Sequence, residues 1–184
     1  MKEMIVIAGA NGSGKTTLSK ELIEKTGYIF LNADEIQRER NVSPIQAGKI
    51  FFSNLELCFR QNKSFILEST LSGGYLAGVL KSAKLQSYLI TLVYLFLESP
   101  QDCINRIKLR VKLGGHYVPD EDVIRRYYRS KKNFWRLYKN MADNWVLLYN
   151  SDDKEPQRVA IGVGEDYIVE SEYLFNVFTG DTEL

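Results

Sequence analysis

The 184-residue sequence predicts an α/β fold with three layers, in which helices cover both faces of a mainly parallel, five-stranded sheet. Short apolar runs without polar alternation recur along the chain, as is typical of strands that are buried on both faces. Segments with apolar residues at helical spacing separate these runs. No internal repeat or linker interrupts the alternation, and we therefore expect one domain over residues 1–184.

The five predicted strands are short apolar segments. Residues 88–97 form the clearest of them because they are rich in β-branched and aromatic side chains. Ser99 and Pro100 then predict the start of a helix, since serine caps helices and proline fits the first helical position. The other predicted strands are 4–8, 29–31, 65–67 and 145–149, and the predicted helices are 15–25, 44–61, 75–85, 100–112 and 120–141. A small C-terminal hairpin that turns at Gly164, with a short helix, is expected over about residues 157–179.

Composition and charge exclude several classes of protein. Hydrophobic residues make up 45% of the chain and the formal net charge is +1, a composition unlike that of disordered proteins. The longest apolar run, residues 88–97, is too short to span a bilayer, which predicts a cytoplasmic protein without membrane contact. Cys58 and Cys103 are far apart in a chain with one histidine, and this pattern favours buried thiols over a disulfide framework or structural zinc.

Residues 9–16, GANGSGKT, match the G-x-x-x-x-G-K-[ST] motif of a phosphate-binding loop. The motif lies between a predicted strand and a predicted helix, whose N-terminus adds partial positive charge. In such a loop the backbone N–H groups turn toward phosphates, the lysine reaches the β and γ phosphates, and the threonine hydroxyl ligates Mg²⁺. The predicted ATP-binding residues are Asn11, Gly12, Ser13, Gly14, Lys15, Thr16 and Thr17. Thr16 is also the predicted metal ligand. A threonine at the start of a helix is explained nearly as well by helix capping, so Thr17 has this alternative role.

Two carboxylates follow predicted strands at the edge where an open α/β sheet binds ligands. Asp34 comes just after the second strand and Glu68 ends the third. Asp34 is the candidate base that takes the proton from an acceptor hydroxyl, although it could also cap the next helix. Glu68 follows an apolar strand, where an unpaired carboxylate is costly, which favours acceptor binding or contact with water on Mg²⁺.

Positive charge is concentrated in residues 106–139, which contain eleven basic and three acidic residues. A glycine pair, Gly114 and Gly115, divides two basic helices there, and this arrangement is typical of a lid that closes over about residues 106–126. Arginines on such a lid neutralise the charge of a transferred phosphoryl group. The candidates are Arg106, Arg110, Arg125 and Arg126, of which we expect about two to act, with His116 as a phosphate or lid contact or a structural residue.

At this point the sequence resembles the short bacterial members of the zeta toxin family, which are phosphate-loop kinases. The resemblance is carried by GANGSGKTT at 9–17, NADEI at 32–36, LESTLSG at 67–73, and RVKLGGHYVP at 110–119 followed by RRYYRS at 125–130. It covers about residues 4–150, and the Gly-Gly-His-x-Val-Pro loop is its most specific part. Characterised members phosphorylate UDP-N-acetylglucosamine.

The resemblance implies a role for individual residues. Lys15 and Thr16 would bind ATP and Mg²⁺, and Asp34 would be the base on the sugar hydroxyl. The acceptor would meet Glu68 and Thr70, while Arg106 would be a lid arginine and His116 would stand where larger members carry another. Ser72 departs from the pattern, since full-length zeta toxins have an arginine at this place. The acceptor and any antitoxin partner therefore stay open.

Three functions remain as alternatives. The first is a kinase that transfers the γ phosphate of ATP to a hydroxyl of a small molecule. The second is a kinase for the 5′ end of a nucleic acid, with the basic segment as a backbone track; a single phosphate-binding lid explains that charge with fewer assumptions. The third is a nucleotide switch or transport ATPase, suggested by LSGG at 71–74, a string that also opens the ABC-transporter signature.

Overall fold

The computed structural model describes residues 1–150 and 155–180. Their strands form a seven-stranded sheet with the order β2-β3-β1-β4-β5-β6-β7. The strands are β1 (Glu3–Ala8), β2 (Ile29–Leu31), β3 (Phe65–Ser69), β4 (Leu89–Phe96), β5 (Asn144–Tyr149), β6 (Gln157–Val163) and β7 (Asp166–Val169). The pairs among β1 to β5 are all parallel, which confirms the predicted parallel sheet.

Helices cover both faces of this sheet. They are α1 (Lys15–Thr26), α2 (Ala33–Arg40), α3 (Pro44–Arg60), α4 (Tyr75–Leu85), α5 (Pro100–Lys112), α6 (Asp120–Asn133) and α7 (Glu172–Gly180). Alternate residues of β1 face opposite layers: Val6 packs in the core with α3 and α4, whereas Ile7 packs beside Leu18 and Leu22 of α1. The three-layer α/β fold is therefore confirmed.

The register of the parallel strands aligns the ends that carry the candidate site. Ala8, the last residue of β1, pairs with Ser69 of β3 on one side and with Tyr94 of β4 on the other. The loop after β1 therefore leaves the sheet at the same edge as the segment after β3. This is the carboxyl edge, where open α/β sheets bind ligands.

The predicted hairpin is present, with Gly164 in the left-handed conformation that its turn requires. It is not a separate unit, however, because β6 pairs antiparallel with β5 and extends the sheet from five strands to seven. Trp145 of β5 is buried under the hairpin and donates from Nε1 to the Gly164 carbonyl oxygen at 3.0 Å. The strand count differs from the prediction because local pattern does not reveal pairing between β5 and β6.

The predicted helix over 120–141 is wrong in its C-terminal part. Regular helix ends with α6 at Asn133, followed by a π-helical turn at Phe134–Tyr138 and a 3₁₀ turn at Lys139–Met141. Phe134 and Tyr138 are both buried in the core, so packing of aromatic side chains accompanies the change of pitch. In the described part of the chain, no helix has the length and apolar character needed to cross a membrane.

Candidate active site at the phosphate loop

The loop between β1 and α1 has the backbone conformation that its glycines predict. Gly12 and Gly14 adopt φ angles of 83° and 97°, in the left-handed region. A Cβ atom at Gly12 would lie 2.6 Å from the Cys103 carbonyl oxygen, and one at Gly14 would lie 2.1 Å from Asn150 Nδ2. Helix α1 begins at this loop with no side-chain cap, as suits an N-terminus that binds an anion.

Lys15 and the two threonines that follow it begin α1. Lys15 Nζ donates to the carbonyl oxygens of Gly9 and Ala10, both at 2.9 Å, so the ammonium lies across the loop. Burial lowers the pKa of Lys15, while the negative charge of Glu68 opposes this change. Thr16 and Thr17 are exposed, and the capping explanation for Thr17 is wrong because α1 has no side-chain cap.

Glu68 is the buried carboxylate of the site. Its residue is 9% exposed, and its Oε2 accepts hydrogen bonds from Thr16 Oγ1 at 3.3 Å and from Asn32 Nδ2 at 2.9 Å. Oε1 is buried without a hydrogen bond of regular geometry among the described residues. Burial raises the pKa of Glu68, and the Lys15 ammonium and the hydroxyls of Ser19 and Thr16 oppose the rise.

Thr70, expected beside Glu68 in the acceptor site, makes a different contact. Its hydroxyl lies 2.7 Å from that of Ser72, and no hydrogen bond among the described residues joins Thr70 to Glu68. Leu71 between Thr70 and Ser72 has a φ of 54°, so the chain turns sharply after β3. Glu68 therefore faces the threonine of the phosphate loop, while Thr70 belongs to the turn that leads to α4.

Asp34 lies exposed in the first turn of α2. The cap of α2 is Asn32, whose Oδ1 accepts from the backbone N–H groups of Asp34 at 2.9 Å and Glu35 at 3.3 Å. The capping alternative for Asp34 is therefore wrong. Asn32 was missed in the sequence, although an asparagine directly before a helix is a typical cap; here it joins the start of α2 to Glu68.

The arginines of the predicted lid make separate contacts. Arg106 Nη2 donates to the Asn150 carbonyl oxygen at 2.9 Å, at the end of β5. Arg110 Nη2 donates to the carbonyl oxygen of His116 at 2.7 Å, and both residues are exposed. Arg110 thus contacts the backbone of His116, and the His116 imidazole stays a candidate for contact with a phosphate group.

The two adjacent arginines of α6 differ in what they reach. Arg126 Nη1 donates to Asn11 Oδ1 of the phosphate loop at 3.2 Å, and its Nη2 lies 3.5 Å from Asp122. Arg125 pairs with the same Asp122 at 2.7 Å and is more exposed. The structure therefore brings Arg126 to the loop and leaves Arg125 on the outer face of α6.

Asn150 is the second site residue that the sequence did not reveal. Its Nδ2 donates to the Ser13 carbonyl oxygen at 2.8 Å, while its backbone N–H donates to Phe96 at 3.0 Å. The carbonyl oxygen of Asn150 accepts from Arg106, so Asn150 connects the phosphate loop, the sheet and α5. Its place directly after a buried strand was the available signal, but the contact spans 137 positions of sequence.

Comparison with known sequences identifies a family and several relatives. A family model described as an AAA domain, AAA_33, matches residues 4–130. An uncharacterized protein of Haemophilus influenzae is 32% identical over 128 residues, covering 67% of this chain and 91% of that protein. A shikimate kinase of Dehalococcoides mccartyi is 28% identical over 163 residues, covering 84% of this chain and 89% of the enzyme.

Comparison with solved structures identifies the same fold at low identity. AvrRxo1-ORF1:-ORF2 with ATP is similar with a TM-score of 0.74 and 17% identity; the match covers 99% of this chain but 64% of that chain. The PezAT toxin–antitoxin system of Streptococcus pneumoniae gives a TM-score of 0.65 and 16% identity, covering 98% and 79%. The narrower zeta-toxin assignment stays a prediction, since the matching family model is AAA_33. The chain belongs to the AAA_33 family, and its fold is that of the phosphate-loop kinases.

Proposed function

We propose that this protein is a kinase that uses ATP and Mg²⁺ to phosphorylate a hydroxyl group of a small molecule. The observation that carries the proposal is the arrangement of Lys15, Glu68 and Asp34 at one edge of the sheet. The buried Glu68 carboxylate accepts a hydrogen bond from Thr16 of the phosphate loop, and the exposed Asp34 carboxylate lies in the first turn of α2. A nucleotide switch needs the loop but has no use for an exposed candidate base.

The residues present fit a nucleotide phosphate chain. The loop has no room for side chains at Gly12 or Gly14, and the N-terminus of α1 carries neither a cap nor an acidic residue in its first turn. Lys15 Nζ is held by two carbonyl oxygens that it could exchange for phosphate oxygens. These features support ATP binding by residues 11–17.

The residues also fit a hydrated Mg²⁺. Thr16 would supply a hydroxyl ligand, and Glu68 Oε2 lies 3.3 Å from that hydroxyl, while Oε1 has no hydrogen bond of regular geometry among the described residues. Mg²⁺ keeps several waters in kinase sites and needs few protein ligands. Of the two roles considered for Glu68, its contact with Thr16 supports acceptance of a hydrogen bond from metal-bound water rather than binding of the acceptor.

The chemical step assigns a task to each side chain. The acceptor oxygen attacks the γ phosphorus, the bond from that phosphorus to the β–γ bridging oxygen breaks, and ADP leaves. Asp34 takes the proton of the acceptor hydroxyl, and Lys15 with Arg106, Arg110 and Arg126 offsets the charge on the transferred group. Thr70 and His116 are candidate acceptor contacts beside this centre.

Nucleotide sugars are the first acceptors to test, because the sequence resembles zeta toxins at residues 9–17, 32–36, 67–73, 110–119 and 125–130. The purified chain would be incubated with ATP, Mg²⁺ and a panel that contains UDP-N-acetylglucosamine, other nucleotide sugars, nucleosides, shikimate and simple sugars. Mass spectrometry would detect a product heavier by one phosphate. Release of ADP at the same rate with and without every acceptor would contradict the kinase proposal and favour an ATPase.

Substitution of the candidate base gives the second test. Asp34→Asn should reduce acceptor-dependent ADP release by about 10² to 10⁴, as expected for loss of a general base, without a matching loss of ATP affinity. Glu39→Gln is the matched control, since Glu39 is an exposed carboxylate on the same helix. Unchanged turnover in Asp34→Asn would remove the base assignment.

The structure gives less support to a nucleic-acid kinase. Two lysines of the basic segment, Lys131 and Lys139, are buried, and Lys108 pairs with Asp120. Arg125 and Arg126 share Asp122, as described above. The positive charge of residues 106–139 is thus divided between core, ion pairs and lid, whereas a backbone track needs a continuous exposed face.

The PezAT relative belongs to a toxin–antitoxin system, which makes a toxicity test informative for this chain. Induced expression of the wild type would be compared with Asp34→Asn in the same bacterial host. Growth arrest that depends on Asp34 would support a toxic kinase with a need for a protein inhibitor. Equal growth of the two strains would favour a metabolic kinase.

A further inference from the structure

A groove lies between α3 and α4, on the layer that covers β1 and β3. Its cavity volume is about 900 Å³, within the range of small-molecule sites. Six of its lining residues matter here: Phe52, Glu56, Arg60, Tyr75, Gly78 and Gln86. Phe52 and Tyr75 line one end of the groove; at the other end, about 16 Å away along α4, Phe59 lies beside the polar side chains of Arg60 and Gln86.

The aromatic end adjoins the carboxyl edge of the sheet. Tyr75 begins α4, six residues after β3 ends at Ser69, and its ring meets Phe52 edge to face at 6.0 Å. Partial burial raises the pKa of Tyr75, the nearby Ser69 hydroxyl opposes the rise, and the negative charge of Asp34 adds to it. β2 pairs parallel with β3, and Asp34 follows the carboxyl end of β2, so Asp34 and the mouth of the groove lie at the same edge of the sheet.

Two aromatic side chains are left partly open at this mouth. Phe52 is 47% exposed and Tyr75 is 45% exposed, while Phe51 beneath them is buried. Half-exposed aromatic rings beside an active site offer faces and edges on which another flat ring can pack. The ion pair of Arg60 with Glu56 at the far end of the groove does not suit a lipid chain.

Gly78 has no structural reason to be glycine. It lies inside α4, where glycine weakens a helix relative to alanine, and a Cβ atom there would meet nothing within 4 Å. It is one turn from Tyr75 on the same face of α4 and lines the groove. Absence of a side chain at this point leaves space for a ligand beside the aromatic rings.

We propose that the groove between α3 and α4 binds an aromatic ring carried by the hydroxyl acceptor, with the ring against Phe52, Tyr75 and Gly78 and the reacting hydroxyl at Asp34. This inference rests on the proposed kinase function and specifies the class of its acceptor. A hydroxyl compound without an aromatic ring would leave the groove empty and bind more weakly.

The test uses compounds that share hydroxyl groups and differ in the ring. Uridine would be compared with methyl β-D-ribofuranoside, and phenyl with methyl β-D-glucopyranoside. Calorimetric titration would be done with a non-hydrolysable ATP analogue and Mg²⁺ present, so that binding is measured without turnover. At least one aromatic compound should bind the wild type tenfold or more tightly than its methyl partner. Equal affinity within both pairs would overturn the proposal.

Substitutions at two helical glycines locate the binding. Gly78→Ala should raise Tm by about 2–4 °C, because alanine favours a helix, yet weaken binding of the aromatic compound about threefold. Gly78→Leu should remove the preference for the aromatic ring. Gly48→Ala is the matched control: Gly48 lies inside α3, outside the groove, and a Cβ there also meets nothing. It should raise Tm by a similar amount and leave binding unchanged.

The outcomes separate the two proposals. Aromatic preference that survives in Gly78→Leu would overturn the groove as the ring site, even if phosphoryl transfer occurs. If the preference is lost in Gly78→Leu, but incubation with ATP and the acceptor panel gives no phosphorylated product, the groove is retained as the ring site and the kinase proposal is contradicted. If Gly78→Leu changes instead the concentration dependence of sedimentation, the groove is a contact between two copies and the proposal is wrong.

Discussion

Asn150 Nδ2 donates a hydrogen bond to the Ser13 carbonyl oxygen at 2.8 Å, and this bond fixes the phosphate loop to the end of β5. The contact also explains the glycine that follows Ser13, since any Cβ at Gly14 would collide with the same amide nitrogen. Arg106 of α5 donates to the carbonyl oxygen of Asn150, so the phosphate loop and α5 both contact this residue. We therefore treat Asn150 as a positioning residue for the nucleotide.

Asn150→Ala should weaken ATP binding about fivefold, because a partly buried hydrogen bond that orients the loop contributes about 1 kcal/mol. Asn150→Asp should weaken it more, since a carboxylate oxygen would face the Ser13 carbonyl oxygen and the phosphates. Fluorescent ATP titration and Tm would be measured together. Asn144→Ala, at the exposed start of β5, is the control. A parallel loss of Tm and affinity in both Asn150 variants would indicate a structural role alone.

The pH dependence of the site should follow Glu68. Burial raises its pKa in the folded protein, so the folded state favours the protonated form. The free energy of unfolding therefore keeps its full contribution from proton binding at Glu68 below the unfolded pKa of this group. That contribution is lost as pH rises through the folded pKa, because the buried carboxyl must then ionise. Glu68→Gln should raise Tm relative to wild type at pH 8 and not at pH 4. Activity should show the opposite trend, because in the proposed mechanism the ionised form of Glu68 would accept a hydrogen bond from metal-bound water.

The measurement is Tm and acceptor-dependent ADP release from pH 4 to pH 9 for both proteins. Wild-type activity should fall on the acid side at a pH above the usual range of a glutamate. That acid limb should be absent from the residual activity of Glu68→Gln. A wild-type profile without an acid limb, or one that the variant retains, would show that Glu68 does not titrate during the reaction.

The features predicted correctly from the sequence are those that short local patterns encode. The features that were missed depend on contacts between residues far apart in the sequence. The phosphate loop, the parallel strands and the Ser99 cap follow from neighbours within a few positions, and the structure has them all. Asn150 and the β5–β6 pairing depend on contacts that form only after the sheet assembles. The break in the helix after Asn133 belongs to the same class, since it accompanies burial of aromatic side chains.

Arg125 and Arg126 are adjacent on α6 and allow a controlled test of the predicted lid. Arg126 reaches Asn11 of the loop, whereas Arg125 contacts Asp122 at the surface. Arg126→Ala should reduce the rate of phosphoryl transfer about 10²-fold, as for removal of one donor from a transition state. Arg125→Ala should change it less than about twofold, because exposed ion pairs contribute little. Single-turnover rates would check this, and equal effects would indicate that Arg126 acts only through the stability of α6.

Lys139 gives a prediction for stability outside the site. It is 2% exposed, its Nζ lies 4.8 Å from the Trp135 ring, and it bonds Glu165 Oε2 at 3.0 Å across the hairpin turn. Lys139→Ala should cost about 3 kcal/mol through the cavity and the lost pairing. Lys139→Met should cost less than about 1 kcal/mol, because an apolar side chain of similar length fills the space. Urea unfolding would measure both, and a methionine variant as unstable as the alanine variant would show that the ion pair, and not packing, holds the hairpin.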